Sequence, residues 1–290
     1  MPVSLLQDLR VVEIGHGIAG PLAGMLLAEH GAEVLRVVVG DQAGDDPLLG
    51  AILARGKTEA RLRWDQPDER ETLTQLLAAA DVVIENDGPS GRLVPMLDYE
   101  ELRRSTNPRL ISCRIAPFPD FDPRAAQPGH EAIVGAAGHL YTKALGRPRY
   151  HPFPVGSVMS ALYAANAIAA ALIARDEHGR GQHVDTSLYH ADLISQVLQI
   201  FIKAGMPRGF LALKMIGSPA MRCWQCQDDR YVYLHITMPS HNTRLLELLV
   251  ERGYGREADE LRAVMSPETM ADPSQVKSIA EAKRIKDILV

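Results

Sequence analysis

Short apolar runs alternate with amphipathic stretches along most of the chain. Leu9-Arg-Val-Val-Glu-Ile14 is a run of β-formers that meets a Gly-rich turn, Gly15-His-Gly-Ile-Ala-Gly-Pro21. From Pro21 the pattern turns helical, with proline at the start where a missing N–H costs nothing. It closes at Gly31 and leads to a second apolar run ending at Val38-Val39. That is a βαβ unit, whose strand-end turn and helix N-terminus form a ready anion site. Gly40 to Pro47 is dense in turn formers. Arg55 to Trp64 alternates as a one-side-exposed strand after Gly56, and Gln66 to Ala80 is an amphipathic helix burying Leu73, Leu76 and Leu77. Asp81-Val-Val-Ile-Glu-Asn86 reads as a buried strand ending at the turn Asp87-Gly-Pro-Ser-Gly91. Tyr99 to Ser105 is a short helix and Arg109 to Ile115 another strand. Residues 116–128 lack periodicity and form a loop, and His130 to Tyr141 fits a helix. Ser157 to Arg175 is a long Ala-rich helix ending at Gly179. Gln182 to Leu188 is a strand, and Tyr189 to Ala204 is helical.

Strands and helices alternating at this spacing predict an α/β fold, a parallel sheet with helices on both faces. Near Met221 the texture changes. Arg222-Cys-Trp-Gln-Cys-Gln227 and Arg230-Tyr-Val-Tyr-Leu-His-Ile236 form a hairpin around Asp228-Asp229, followed by helical patterns at Thr243 to Gly253 and near the C-terminus. The expected division is a large α/β domain over 1–220 and a smaller α+β domain over 221–290. No internal repeat is visible.

Composition narrows the function classes. A length of 290 residues with 46% hydrophobic and 23% charged residues suits a globular protein with a substantial core. The net charge of -5, with basic residues scattered, gives no reason to expect nucleic acid or an anionic membrane as a partner. Ala161 to Ala174 is too short an apolar run to span a bilayer. Three cysteines, an odd number, argue against a disulfide framework and fit a reducing, cytoplasmic setting.

Several residues are candidates for chemistry. The turn Gly15 to Pro21 departs from the dinucleotide fingerprint: its third glycine is out of place, and Val38-Val39 stand where an acidic residue would close the second strand. No NAD site is expected. A ligand contact there and a plain packing turn are evenly matched. Gly56-Lys57 and Asn86 are placed on the sheet's carboxyl edge, where open α/β folds bind ligands, although an exposed lysine and a turn asparagine are the blander reading. His130 sits in Pro128-Gly-His-Glu131 after a loop, an ordinary place for a surface histidine. Cys223-Trp-Gln-Cys226 has half the spacing of a zinc site but lacks a second ligand pair, so no metal is expected.

The opening βαβ block, read with Arg175-Asp-Glu-His-Gly-Arg-Gly-Gln182, resembles the class III CoA-transferase family, which includes the carnitine dehydratase-like proteins and the α-methylacyl-CoA racemases. The resemblance implies coenzyme A or an acyl-CoA as substrate, and a carboxylic acid as co-substrate. It makes His16, Ile18 and Ala19 candidate CoA contacts, promotes Gly56, Lys57 and Asn86 to contacts with the CoA arm, and adds Arg92 as a phosphate partner. Gly129-His130-Glu131 looks like the racemases' acid/base motif with Glu for Asp. Counting back from the Arg175 block puts Ser157 of Pro154-Val-Gly-Ser157 at the family's acyl-accepting aspartate. A serine cannot form the mixed anhydride that such a carboxylate forms.

The resemblance also implies two subunits threaded through each other like links. Family chains run longer, so 221–290 is expected to be an incomplete small domain. The resulting expectation is a protein that moves CoA between carboxylic acids, as a homodimer or as the aspartate-less subunit of a heteromer with an aspartate-bearing homologue. The alternatives are a non-catalytic CoA-binding homologue and an acyl-CoA racemase using His130.

Overall fold

The computed structural model describes residues 4–39, 47–86, 94, 97–138, 143–144, 147–148, 153–196, 204, 221–236, 239–265 and 279–289. The chain divides into two compact units, Met1–Val197 and Leu198–Val290. The expected boundary near residue 220 lies outside the described residues.

The first unit is built on six strands: β1 (Arg10–Ile14), β2 (Glu33–Val39), β3 (Lys57–Leu62), β4 (Val82–Asn86), β5 (Ile111–Ala116) and β8 (His183–Ser187). They form one parallel sheet in the order β3-β2-β1-β4-β5-β8. Both faces are covered, which is why the central strands are apolar on consecutive positions rather than alternate ones. Val11 faces one core, with Val34, Ile84 and Ile115. Its neighbour Val12 faces the other, with Ile14, Val37 and Val83. The first core is closed by α1 (Ala19–Glu29) and α6 (Val155–His178), through Ala23 and Leu27 on one and Ala161, Ala164, Ile168 and Ala171 on the other. The second is closed by α3 (Pro67–Ala79) through Leu73 and Leu77 and by Tyr99 at the head of α4 (Tyr99–Ser105).

The helix ends follow the local chemistry. Pro67 opens α3, with Asp68 and Glu69 in its first turn. Asp98 caps α4 by accepting the Glu100 and Glu101 amides. Gly179, at φ +74°, closes α6 in the left-handed conformation that glycine adopts without penalty. At 24 residues, with an 18-residue stretch of mean hydropathy 1.7, α6 is long and apolar enough to cross a membrane, more so than its Ala-rich run alone suggests. Here one side packs on α1 and the sheet.

The structure departs from expectation at a few places. Pro47–Leu53 is a helix, α2, because Pro47 starts a helix rather than ending a loop. The helix after His130 is α5 (Glu131–Ala137), which stops before Gly138. A two-residue hairpin follows, β6 (Lys143–Ala144) with β7 (Arg147–Pro148). The helix after β8 is α7 (Leu188–Ser195), and the rest of the expected stretch to Ala204 is not described except for residue 204 itself. Gly56 and Lys57 are not on the carboxyl edge. Lys57 opens β3 opposite Val34 near the start of β2, which is the amino edge of a parallel sheet.

The second unit holds the expected hairpin, β9 (Met221–Gln225) paired antiparallel with β10 (Tyr231–His235). Asp229 takes a positive φ of 59° in its turn. Among the described residues three helices follow: α8 (Pro239–Glu251), α9 (Gly255–Val264) and α10 (Ile279–Leu289). Leu246, Ala258, Leu261 and Ile285 meet in a small core.

Candidate active site

The strand order reverses direction between β1 and β4, and open α/β sheets bind ligands at the carboxyl ends of such strands. β1 gives way there to the turn Gly15-His16-Gly17-Ile18 and then to α1. Gly17 takes φ +66°, a conformation that a side chain would strain. Asn86, the last residue of β4, fastens the turn: it accepts the His16 amide at 2.9 Å and donates to the His16 carbonyl at 2.9 Å. Gly15 and Gly20 lie so close that a Cβ on either would collide with the Asn86 side chain.

The opposite wall comes from two helix starts. His130 is the N-cap of α5, where its Nδ1 accepts the Ala132 amide at 3.3 Å; the ring is otherwise exposed. Glu131, one residue on, reaches across to the first turn of α6. Its Oε1 accepts the Gly156 amide at 2.9 Å, and its Oε2 accepts the Ser157 amide at 2.8 Å and the Ser157 hydroxyl at 2.6 Å. The carboxylate thus satisfies amides that Pro154, the N-cap residue, cannot cap with its own side chain. Between the two walls lies a cleft of about 190 Å³. His16, Ile18, Ala19 and Asn86 line one side, and His130, Glu131 and Ser157 line the other. Ile115, Pro117 and Leu188 supply its apolar surface.

Seven of the candidate residues therefore share one cleft. Gly56 and Lys57 are not among its lining. The Lys57 side chain, 1% exposed, donates to Glu13 Oε2 at 2.5 Å and to the Pro21 carbonyl at 2.6 Å beneath α1. Burial raises the Glu13 carboxyl and lowers the Lys57 ammonium, each opposed by the charge of the other. Arg92 lies outside the described residues. No cluster of three potential metal ligands occurs among those described, and Cys223 and Cys226 are free and exposed.

One acidic residue behind the cleft lining, against Gly156, is absent from the sequence-based candidates. Asp192, on α7, is fully buried, and neither of its carboxyl oxygens has a hydrogen-bond partner among the described residues. Its Oδ1 lies against Gly156, where a Cβ would stand only 2.9 Å away. Burial, and then the charge of Glu131, push its carboxyl up to about 7. A Ser-His-Asp trio also exists, away from the cleft lining. Ser112 Oγ is 2.7 Å from His183 Nδ1, and His183 Nε2 is 2.9 Å from Asp185 Oδ1. Ser112 is 1% exposed and also accepts from Arg103 at 2.6 Å, so the trio ties β5 to β8 and presents no nucleophile.

Comparison with known proteins places the chain in a family. The sequence model of CoA-transferase family III matches residues 6–282. The chain is 30% identical to a succinate–glutarate CoA-transferase of Agrobacterium fabrum, over 97% of this chain and 74% of that protein. It is 31% identical to the beta subunit of a succinyl-CoA–L-malate CoA-transferase of Chloroflexus aurantiacus, over 64% of this chain and 49% of that one. It therefore spans about half the length of several curated relatives. In fold it superposes on Rv3272 of Mycobacterium tuberculosis with a TM-score of 0.78, at 24% identity, covering 100% of this chain and 79% of that one. A CAIB/BAIF family protein of Brucella suis gives 0.73 at 22% identity, covering 98% and 77%. The chain belongs to CoA-transferase family III.

Proposed function

We propose that this chain binds acyl-CoA thioesters and moves CoA between carboxylic acids. The observation that carries the reading is the cleft itself. A backbone turn fastened by Asn86 faces a carboxylate held at a helix start, with an apolar wall between them suited to an acyl group. His16, Ile18 and Ala19 contact the CoA arm, and the thioester carbonyl lies toward Glu131 and Ser157. Relatives named for succinate, glutarate and malate make succinyl-CoA the probe of choice.

Assembly with a carboxylate-bearing homologue is a second reading. It is favoured by the serine at 157 and by relatives named as alpha and beta subunits of one enzyme.

The test incubates the purified chain with succinyl-CoA and isotopically labelled succinate or glutarate. Label is expected in the thioester pool, and succinyl-CoA is expected to raise the melting temperature. Failure of both would overturn the reading. Deuterium entering the α-carbon from heavy water without acid exchange would replace transfer by proton abstraction at His130.

A further inference from the structure

We propose that Glu131 is the acyl-accepting carboxylate of this chain, with Ser157 as its positioning residue. The inference rests on the reading of the cleft as a CoA-transfer site. A serine at 157 leaves that position without a nucleophile able to form an anhydride. The structure nonetheless brings a carboxylate to the same place from a different element. Glu131 Oε2 lies 2.6 Å from Ser157 Oγ, so the oxygen that residue 157 presents to the cleft is one hydrogen bond from an oxygen that Glu131 presents. Both residues line the cleft. A carboxylate offers about four acceptor positions. Glu131 uses three of them, on the Gly156 and Ser157 amides and the Ser157 hydroxyl, which leaves one on Oε1 uncommitted.

Chemistry favours the carboxylate over the hydroxyl. Ser157 Oγ is mostly buried and gives its proton to Glu131. An acyl-serine is an oxygen ester, well below a thioester in transfer potential, and serine has no carbonyl carbon on which CoA could be held while the first acid departs. An acyl-glutamate anhydride keeps that potential. The steps balance without an outside reagent or a net proton. Glu131 Oε attacks the thioester carbon, the C–S bond breaks, and CoA leaves as thiolate. The thiolate then attacks the Glu131 carboxyl carbon and expels the first acid as its carboxylate, leaving a glutamyl-CoA thioester. An acceptor carboxylate attacks that carbon and displaces CoA again. The thiolate takes the new acyl group and restores Glu131.

The experiment treats the whole chain with succinyl-CoA, traps it with hydroxylamine or borohydride, and maps the modified peptide by mass spectrometry. Hydroxamate or alcohol at Glu131, and a CoA adduct there before trapping, are expected. The wild-type mapping does not depend on any variant folding. Glu131→Gln should lower exchange by more than about 10³-fold, as loss of a covalent nucleophile does. Ser157→Ala should keep the adduct at Glu131 and slow exchange about 10- to 100-fold through misplacement. A purely structural Ser157 would leave the rate of adduct formation unchanged. An acyl group on Ser157 without CoA overturns the proposal in favour of a serine ester. Succinyl-CoA that stabilises the protein and exchanges acids without marking Glu131 overturns it while leaving the transfer reading intact. Absence of both binding and exchange removes the transfer reading itself, and the assignment with it.

Discussion

At the scale of single residues the feature with the clearest consequence is Asp192. Its carboxyl is buried without a hydrogen-bond partner among the described residues, so its charged form is disfavoured. With its pKa raised from 3.8 to about 7, the folded protein binds that proton more tightly than the unfolded chain does. Stability therefore falls as pH climbs from about 4 through about 7, then levels off. At 1.36 kcal/mol per pH unit the whole effect is at most ~4 kcal/mol. Asp192→Asn removes the titration but keeps the shape. The variant's advantage should widen with pH, from a few degrees in melting temperature at pH 5 to roughly twice that or more at pH 8, since ~1 kcal/mol moves the melting temperature of a domain this size by about 2–4 °C. Parallel melting curves at both pH values would show that the carboxyl is not the source. Neutralising Glu131 removes the second cause of the shift, so Glu131→Gln should lower the Asp192 midpoint. A carboxyl titration followed by NMR would read that directly.

At the scale of elements, α1 and β4 show how closely the first βαβ unit is assembled. A Cβ at Gly20 would collide with Asn86 Oδ1, so Gly20→Ala must displace the side chain that fastens the His16 backbone. Overpacking of this kind costs about 1–3 kcal/mol, more than the ~1 kcal/mol that alanine gains in helix propensity. Gly50, in α2, has open space around its Cβ position. Gly50→Ala should therefore hold or raise stability by about 0.5–1 kcal/mol. Urea unfolding of the pair gives opposite signs if the packing argument is right, and two gains would refute it.

Elements of this kind were largely legible from the chain. The consecutive apolar positions of β1, β4 and β5 and the Leu73–Leu77 stripe of α3 announce a sheet covered on both faces. The carboxyl-edge placement of Gly56 and Lys57 fails on the pattern's own terms, because a residue that opens a strand of a parallel sheet lies at the amino edge. Asp192 is illegible for a different reason: an isolated acid in an amphipathic helix reads as solvated until the facing helix is known. Ser157 and Glu131 were individually visible, but their hydrogen bond depends on where α5 and α6 begin in space.

At the scale of the whole molecule, the described residues of the two units differ in how much apolar surface each buries within itself. The first has two large cores sharing one sheet, with Val11, Ile84 and Ile115 on one face and Ile14, Val83 and Leu77 on the other, all essentially inaccessible. The second has one small cluster of four buried residues, Leu246, Ala258, Leu261 and Ile285, among its described helices. Local opening free energies track buried contacts of this kind. Amide exchange in β1, β4 and β5 should therefore be slowest, requiring the largest opening, whereas α8 to α10 should exchange at much lower opening energies. Succinyl-CoA at 100 times its dissociation constant adds about 2.7 kcal/mol to whatever it binds. If the cleft at β1 and β4 is the binding site, that increment falls on amides of the first unit, including the His16–Ala19 turn and the start of α6. The amides of α8 to α10 should be left unchanged. Hydrogen exchange read by mass spectrometry resolves the two sets of peptides. Added protection confined to β9, β10 and the helices after them would place the ligand elsewhere and sink the cleft assignment.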